Sequence, residues 1–135
     1  MNKLLWEKKW DDGRRIISID FEDEMVVFGF DKGPRFCLKT EHDQDCCEHV
    51  YGDFSVFKYH KEELLAKQVR GVSIKAVEGM GFLVCFDSYW EHTKVFVACY
   101  NYQNGYYSSD LELQIEADEE PFLLDISGCV EDHID

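Results

Sequence analysis

Between Arg14 and Thr40 the sequence alternates strand-forming runs with connections only three or four residues long, which leaves few folds open to it. Arg14 to Phe21 sets Ile17, Ile19 and Phe21 on one face and Ile16, Ser18 and Asp20 on the other, the period of a strand. Glu22-Asp23-Glu24 is a short acidic turn, Met25 to Phe30 a β-branched and aromatic run, Asp31-Lys32-Gly33-Pro34 a second turn, and Arg35 to Thr40 a third strand. Connections this short cannot carry a crossover, so the three runs are expected as an antiparallel meander.

Further strands are expected from Val72 to Glu78, Phe82 to Phe86, Lys94 to Tyr102 and around Leu111, Leu113 and Ile115, where apolar residues alternate with Glu112, Gln114 and Glu116. Asn104-Gly105 has the composition of a tight hairpin turn. Helix is expected in three places. Trp6 and Trp10, four apart, fit one helical face; Cys46 to Tyr51 follows a capping Asp45; and His60 to Gln68 is rich in helix formers. Asp11-Asp12-Gly13 is expected as a turn, and Phe122 to Ile126 as a docked final strand or short helix. The fold class is therefore α+β, a single domain over 1–135, mainly an antiparallel sheet of six or seven strands with one or two short helices. Residues 118–135 are expected as a partly flexible acidic tail, frayed beyond Ile126.

Hydrophobic content of 45% is too high for a disordered chain, and 135 residues suffice for one core without disulfides or metal. Acids outnumber bases 28 to 14, a net charge of -14 that disfavours nucleic acid and anionic membrane and favours basic partners. The imbalance is local. Residues 1–40 hold 8 bases and 8 acids, 41–57 hold 5 acids and no base, 58–75 hold 5 bases and 2 acids, and 76–135 hold 1 base and 13 acids. The basic segment Lys58, Lys61, Lys67, Arg70 and Lys75 reads as a solvated face. No leader-like or membrane-spanning apolar run is present, so a cytosolic protein with reduced thiols is expected, with Cys37, Cys85 and Cys99 as small core residues.

The polar stretch Thr40 to His49 concentrates acids, imidazoles and adjacent thiols. His42, Cys46, Cys47 and His49 have zinc-ligand chemistry but lack a paired-ligand spacing. A thiol nucleophile at Cys46 or Cys47, served by His42, His49, His60 or His92, would be opposed by Glu41, Asp43, Asp45 and Glu48, whose charges disfavour a thiolate. Asp43, Asp45, Glu48 and Asp53 depart from a calcium loop at its third ligand. No cofactor is expected, and a metal-binding or thiol-dependent enzyme centred on Cys46 and Cys47 is the alternative to the leading expectation. That expectation is a non-enzymatic binding surface in which Asp87, Glu91, Tyr102, Tyr106, Tyr107, Asp110 and Glu112, with Glu41, Asp43 and Asp45, meet a basic, nucleic-acid-binding host protein.

His42-Asp43-Gln44-Asp45-Cys46-Cys47-Glu48, Val77 to Phe82 and Cys99 to Tyr107 together resemble a family of small phage and bacterial proteins marked by an Asp-Cys-Cys motif, a domain of unknown function. The likeness covers about residues 14–116. It carries no catalytic or cofactor-binding residue onto these positions. It implies a mobile-element origin, and by analogy of class an inhibitor working in the host cytosol, such as an anti-CRISPR or anti-restriction nucleic-acid mimic.

Overall fold

The computed structural model describes residues 2–41, 49–88, 92–102, 110–117 and 121–130. Among these residues nine strands, each paired antiparallel to its neighbours, run β1 (Lys3–Glu22), β2 (Met25–Phe30), β3 (Phe36–Glu41), β4 (His49–Gly52), β5 (Gln68–Val77), β6 (Gly81–Asp87), β7 (His92–Tyr102), β8 (Glu112–Glu116) and β9 (Phe122–Asp125). Their spatial order is β4-β7-β6-β5-β1-β2-β3-β8-β9. One eight-residue helix, α1 (Phe57–Leu64), follows a 3-10 turn at Phe54–Val56. This corrects the α+β expectation of six or seven strands: the described chain is essentially all-β.

The 20-residue β1 organises the molecule because it belongs to two sheets. Its first part pairs with β5 from Lys3 to Arg15, and its last part pairs with β2 from Ile16 to Glu22. Between Lys9 and Arg14 the register shifts, and Gly13 takes a left-handed φ of 59° there. A bulge of this kind bends a strand so that it can serve both sheets at a corner. Asp11-Asp12-Gly13 is thus a bulge inside a strand and not a turn.

The aromatic side chains show how the two sheets close on each other. Trp6 stacks on Phe36 at 5.9 Å between ring centres, and Trp10 meets Phe30 edge-on at 5.2 Å. Phe28 touches Phe36, Phe57 and Phe86, thereby joining β2 to β3, α1 and β6. The expected helix over Trp6 and Trp10 is corrected to strand. A spacing of four is even, so a period of two also places both rings on one face. A further register shift, between Ile16 and Ser18, changes which isoleucines are inside. Ile16 and Ile19 are buried while Ile17 is 58% exposed, against the simple alternation expected.

The expected helix at His60–Gln68 starts three residues earlier and stops at Leu64. Ala66 turns the chain with φ 69°, and its N–H and that of Ile16 are taken up in a two-way exchange, Ala66 N–H to the Ile16 carbonyl and Ile16 N–H to the Lys67 carbonyl. That anchorage to β1 releases Gln68 into β5, and pairing overrides the helix propensity of the segment. The C-terminal end of the expected Cys46–Tyr51 helix is likewise strand, as β4 pairs with β7 from His49 to Gly52. Beyond β9 the chain does not fray at once: a 3-10 turn at Ser127–Cys129 leaves Ile126, Cys129 and Val130 buried. The three-strand meander and β8 with its buried Leu113 and Ile115 are as expected, and Cys37, Cys85 and Cys99 are all buried, but only Cys99 of the three joins the core cluster; Cys37 and Cys85 lie on outward rows of their strands.

Gly81 fixes how closely β6 and β7 approach. A Cβ there would lie 2.1 Å from the Val97 carbonyl oxygen and 3.0 Å from the Ala98 Cα, both backbone atoms. Gly81→Ala is therefore expected to part the two strands and lower unfolding stability by on the order of 1–3 kcal/mol, measured by urea denaturation.

Candidate functional site

Strand register assigns the surface residues to two outer faces. On β1-β2-β3-β8-β9, the row Val26, Leu38, Ile115 points to the core, so the rows on either side of it point out. One outward row runs Asp20, Val27, Cys37, Glu116; the next runs Glu22, Met25, Lys39, Gln114, Leu123; the third is Glu41, Glu112, Asp125. Neighbouring strands stand about 4.8 Å apart, so the third row is a line of carboxylates at that spacing. Six carboxylates (Asp20, Glu22, Glu41, Glu112, Glu116, Asp125) face outward against Arg35 and Lys39, a net of -4 for this face.

The outer face of β1-β5-β6-β7 is different. Its rows carry Leu4, Lys75, Leu83, Phe96, then Glu7, Ser73, Cys85, Lys94, then Lys9, Gly71, Asp87, His92. Lys9, Lys75 and Lys94 against Glu7 and Asp87 give a net of +1, with an apolar stripe beside them. Among the described strand residues the two outer faces thus differ in sign. Like charges set directly opposite on neighbouring strands are unfavourable, so the Glu41-Glu112-Asp125 row does not serve stability, and conflicts of this sort collect at functional surfaces.

A groove of about 250 Å³ crosses the acidic face, lined by Met25, Val27, Arg35, Cys37, Lys39, Gln114 and Glu116. Lys39 Nζ lies 3.3 Å from Glu41 Oε1, tying the cation at the groove to the carboxylate row. The Cys37 thiol is pushed up from its ordinary pKa by burial first and by the charge of Glu116 second, so it lines the groove as a neutral group. Cys99 and Cys129 are also pushed up, mainly by burial, Cys99 the more strongly.

Asp125 is the anchored member of the row. Its Oδ1 accepts from the Ser127 N–H at 3.0 Å and the Ser127 hydroxyl at 2.6 Å, and these two bonds, the hydroxyl first, hold its carboxyl below the ordinary range. A depressed folded pKa stabilises the fold above the unfolded value and loses that contribution as pH falls through the folded one. In Ser127→Ala the Asp125 titration, followed by carboxyl-carbon NMR between pH 2 and 6, is expected to move up toward 3.8.

The other end of the row is positioned by Thr40. Its side chain is buried, and its hydroxyl accepts from the Gly52 N–H at 3.1 Å, fastening the end of β3 to β4. Thr40→Val keeps the shape but leaves that buried N–H without an acceptor. A stability loss of about 1–3 kcal/mol is expected in thermal unfolding.

Glu41 and Glu112, both expected as partner contacts, are thus brought directly opposite each other, with exposed Asp110 just before β8. Tyr102 ends β7 opposite His49, the first residue of β4. Asp87 does not join them. It stands at the start of the β6-β7 pairing, where its Oδ1 is 2.6 Å from His92 Nδ1, ten residues of strand and about 34 Å from Tyr102. The expected single surface is therefore divided between two ends of β7. His42, Asp43, Asp45, Cys46, Cys47, Glu48, Glu91, Tyr106 and Tyr107 lie outside the described residues, as does the Asn104-Gly105 turn. Among the described residues no group of three or more His, Cys, Asp or Glu is placed to hold a metal ion. Of the other residues named for that chemistry, Asp53 caps the 3-10 turn by accepting from the Ser55 N–H at 3.0 Å, and His60 pairs with Glu63.

Asp20, Glu22, Glu116 and Asp125 belong to the acidic face but were not expected there. Their signal was available for the first two in the alternation Ile19, Asp20, Phe21, Glu22. Only strand order could add Glu116 and Asp125, because β8 and β9 lie far along the chain from β3. Compared with family models, curated proteins and solved structures, the chain matches none of them. No helix among the described residues is long and apolar enough to cross a membrane.

Proposed function

We propose that this chain is a non-enzymatic binding protein that docks its acidic face, β1-β2-β3-β8-β9, into a basic groove of a nucleic-acid-binding partner. The observation that carries the reading is the sorting of charge: net -4 on this face and +1 on the other. Carboxylates mixed in for solubility alone have no reason to gather on one side. Complementary potentials of this kind steer encounter and fix register. Carboxylates at about 4.8 Å along a row make a regular line of negative charge, the property by which a nucleic-acid backbone, with one charge per about 3.4 Å of helix axis on each strand, is held in a basic groove. In its narrower form the reading is a phage-encoded nucleic-acid mimic that blocks a host defence protein, of the anti-CRISPR or anti-restriction kind, an extension drawn by analogy of class alone.

The test is capture of purified basic nucleic-acid-binding proteins by the immobilised chain at about 50 mM and 500 mM salt. Binding that weakens steeply with salt is expected, because exposed charge pairs are screened over roughly 10 Å at 0.1 M. Binding that is absent, or indifferent to salt, overturns the reading.

A further inference from the structure

The last strand of the acidic face is open on one side. Among the described residues nothing pairs beyond β9, and its Phe122 and Leu123 are 49% and 58% exposed. The Ile126 N–H donates to the Leu111 carbonyl at 2.9 Å, in the same register that pairs Asp125 with Glu112 and Leu124 with Leu113. Main-chain groups of an antiparallel strand alternate sides. Ile126 and Leu124 therefore bond inward to β8, and the N–H and C=O groups of Leu123 and Asp125 face the open edge. Pro121 has the same parity and no N–H to offer there, as befits an edge position.

Charge decides what can add to this edge. Asp125, on the edge strand itself, stands in the carboxylate row with Glu112 and Glu41. A second copy of the chain would bring the same acids to the same edge, so self-pairing is opposed, as charged edge strands generally are. A cationic strand meets no such barrier. We infer that β9 accepts an extended basic segment of the partner as a tenth, antiparallel strand. This rests on the proposed docking of the acidic face and specifies its contact.

The register then dictates the segment. Its residue opposite Asp125 emerges on the outer face at the end of the carboxylate row and is Lys or Arg. The next three, opposite Leu124, Leu123 and Phe122, are apolar, and the last covers the half-exposed Phe122 ring. Main-chain bonds supply the holding and alternate side chains the selectivity, the division of labour of strand addition.

A capped peptide carrying Lys-Val-Ile-Val between soluble flanks tests this by fluorescence anisotropy and by amide exchange of the protein. Expected are salt-sensitive binding, new protection of the Leu123 and Asp125 amides, and at least tenfold weaker binding when the peptide is N-methylated at the two residues set opposite Leu123 and Asp125. N-methylation one residue out of phase leaves binding within about twofold, because those N–H groups face away. Leu123→Pro in the protein is expected to reproduce the loss. Should that variant misfold, the two methylated peptides on the unaltered chain decide alone. Equal binding by both methylated peptides, or unchanged exchange at Leu123 and Asp125, overturns strand addition. If binding nonetheless keeps its salt dependence, the acidic face stands as a docking surface without it; if salt dependence is lost as well, both fail.

Discussion

Replacing Phe28 by alanine is expected to lower unfolding stability by about 3–5 kcal/mol, the upper range for a single truncation in a core. The ring is fully buried and sits within 5.2–5.7 Å of Phe86, Phe57 and Phe36, so it is the point at which β2, β3, β6 and α1 meet. Removing it opens a cavity between the two sheets that share β1, and the aromatic neighbours on three sides limit collapse. Domains of this kind have only about 5–15 kcal/mol in hand, so the variant will be largely unfolded in moderate urea. Urea titration followed by tryptophan fluorescence reads the loss, since Trp6 and Trp10 pack on Phe36 in the same cluster. A loss under about 1 kcal/mol would mean that the two sheets are not joined through this ring.

Much of the architecture could be read from local pattern, and the failures have particular causes. The meander from β1 to β3 was legible because its turns are too short for any other connection, and β8 because Leu111, Leu113 and Ile115 alternate with polar residues. The helical expectations erred where two periods coincide or where pairing outweighs propensity. Trp6 and Trp10 are four apart, which suits a helix and a strand equally, and only the Gly13 bulge shows the segment to be one long bent strand. Lys67 and Gln68 are good helix formers, yet the bonds exchanged by Ile16 with Ala66 and Lys67 end the helix and start β5. For the candidate surface, composition gave the sign of the charge but not its sorting. Glu41 and Glu112 are 71 residues apart in the chain, and their juxtaposition follows from the β3-β8 pairing, which no local pattern encodes. Asp87 was grouped with Tyr102 through proximity in sequence, and the straight run of β7 separates them.

The second large expected effect concerns the acidic face itself. Glu41, Glu112 and Glu116 are held by β3 and β8 with side chains outward, and none of the three supports the core. Changing all three to glutamine therefore removes charge with little effect on folding, and stability within about 1 kcal/mol of the parent is expected, since surface changes are usually small. Each exposed ion pair made with a partner is worth roughly 0.2–1 kcal/mol. Loss of three then weakens binding by up to about 3 kcal/mol, on the order of a hundredfold.

The decisive comparison is between that variant and a second one of equal net charge, Glu7→Gln/Asp11→Gln/Glu62→Gln, in which three exposed acids are removed from elsewhere on the chain. Affinity of both for one basic nucleic-acid-binding protein, measured at the same ionic strength, separates a shaped surface from bulk charge. The face-directed variant is predicted to lose tenfold to about a hundredfold while the second stays within about threefold of the parent. Equal losses in the two would show that only total charge matters, and would contradict docking through the acidic sheet face.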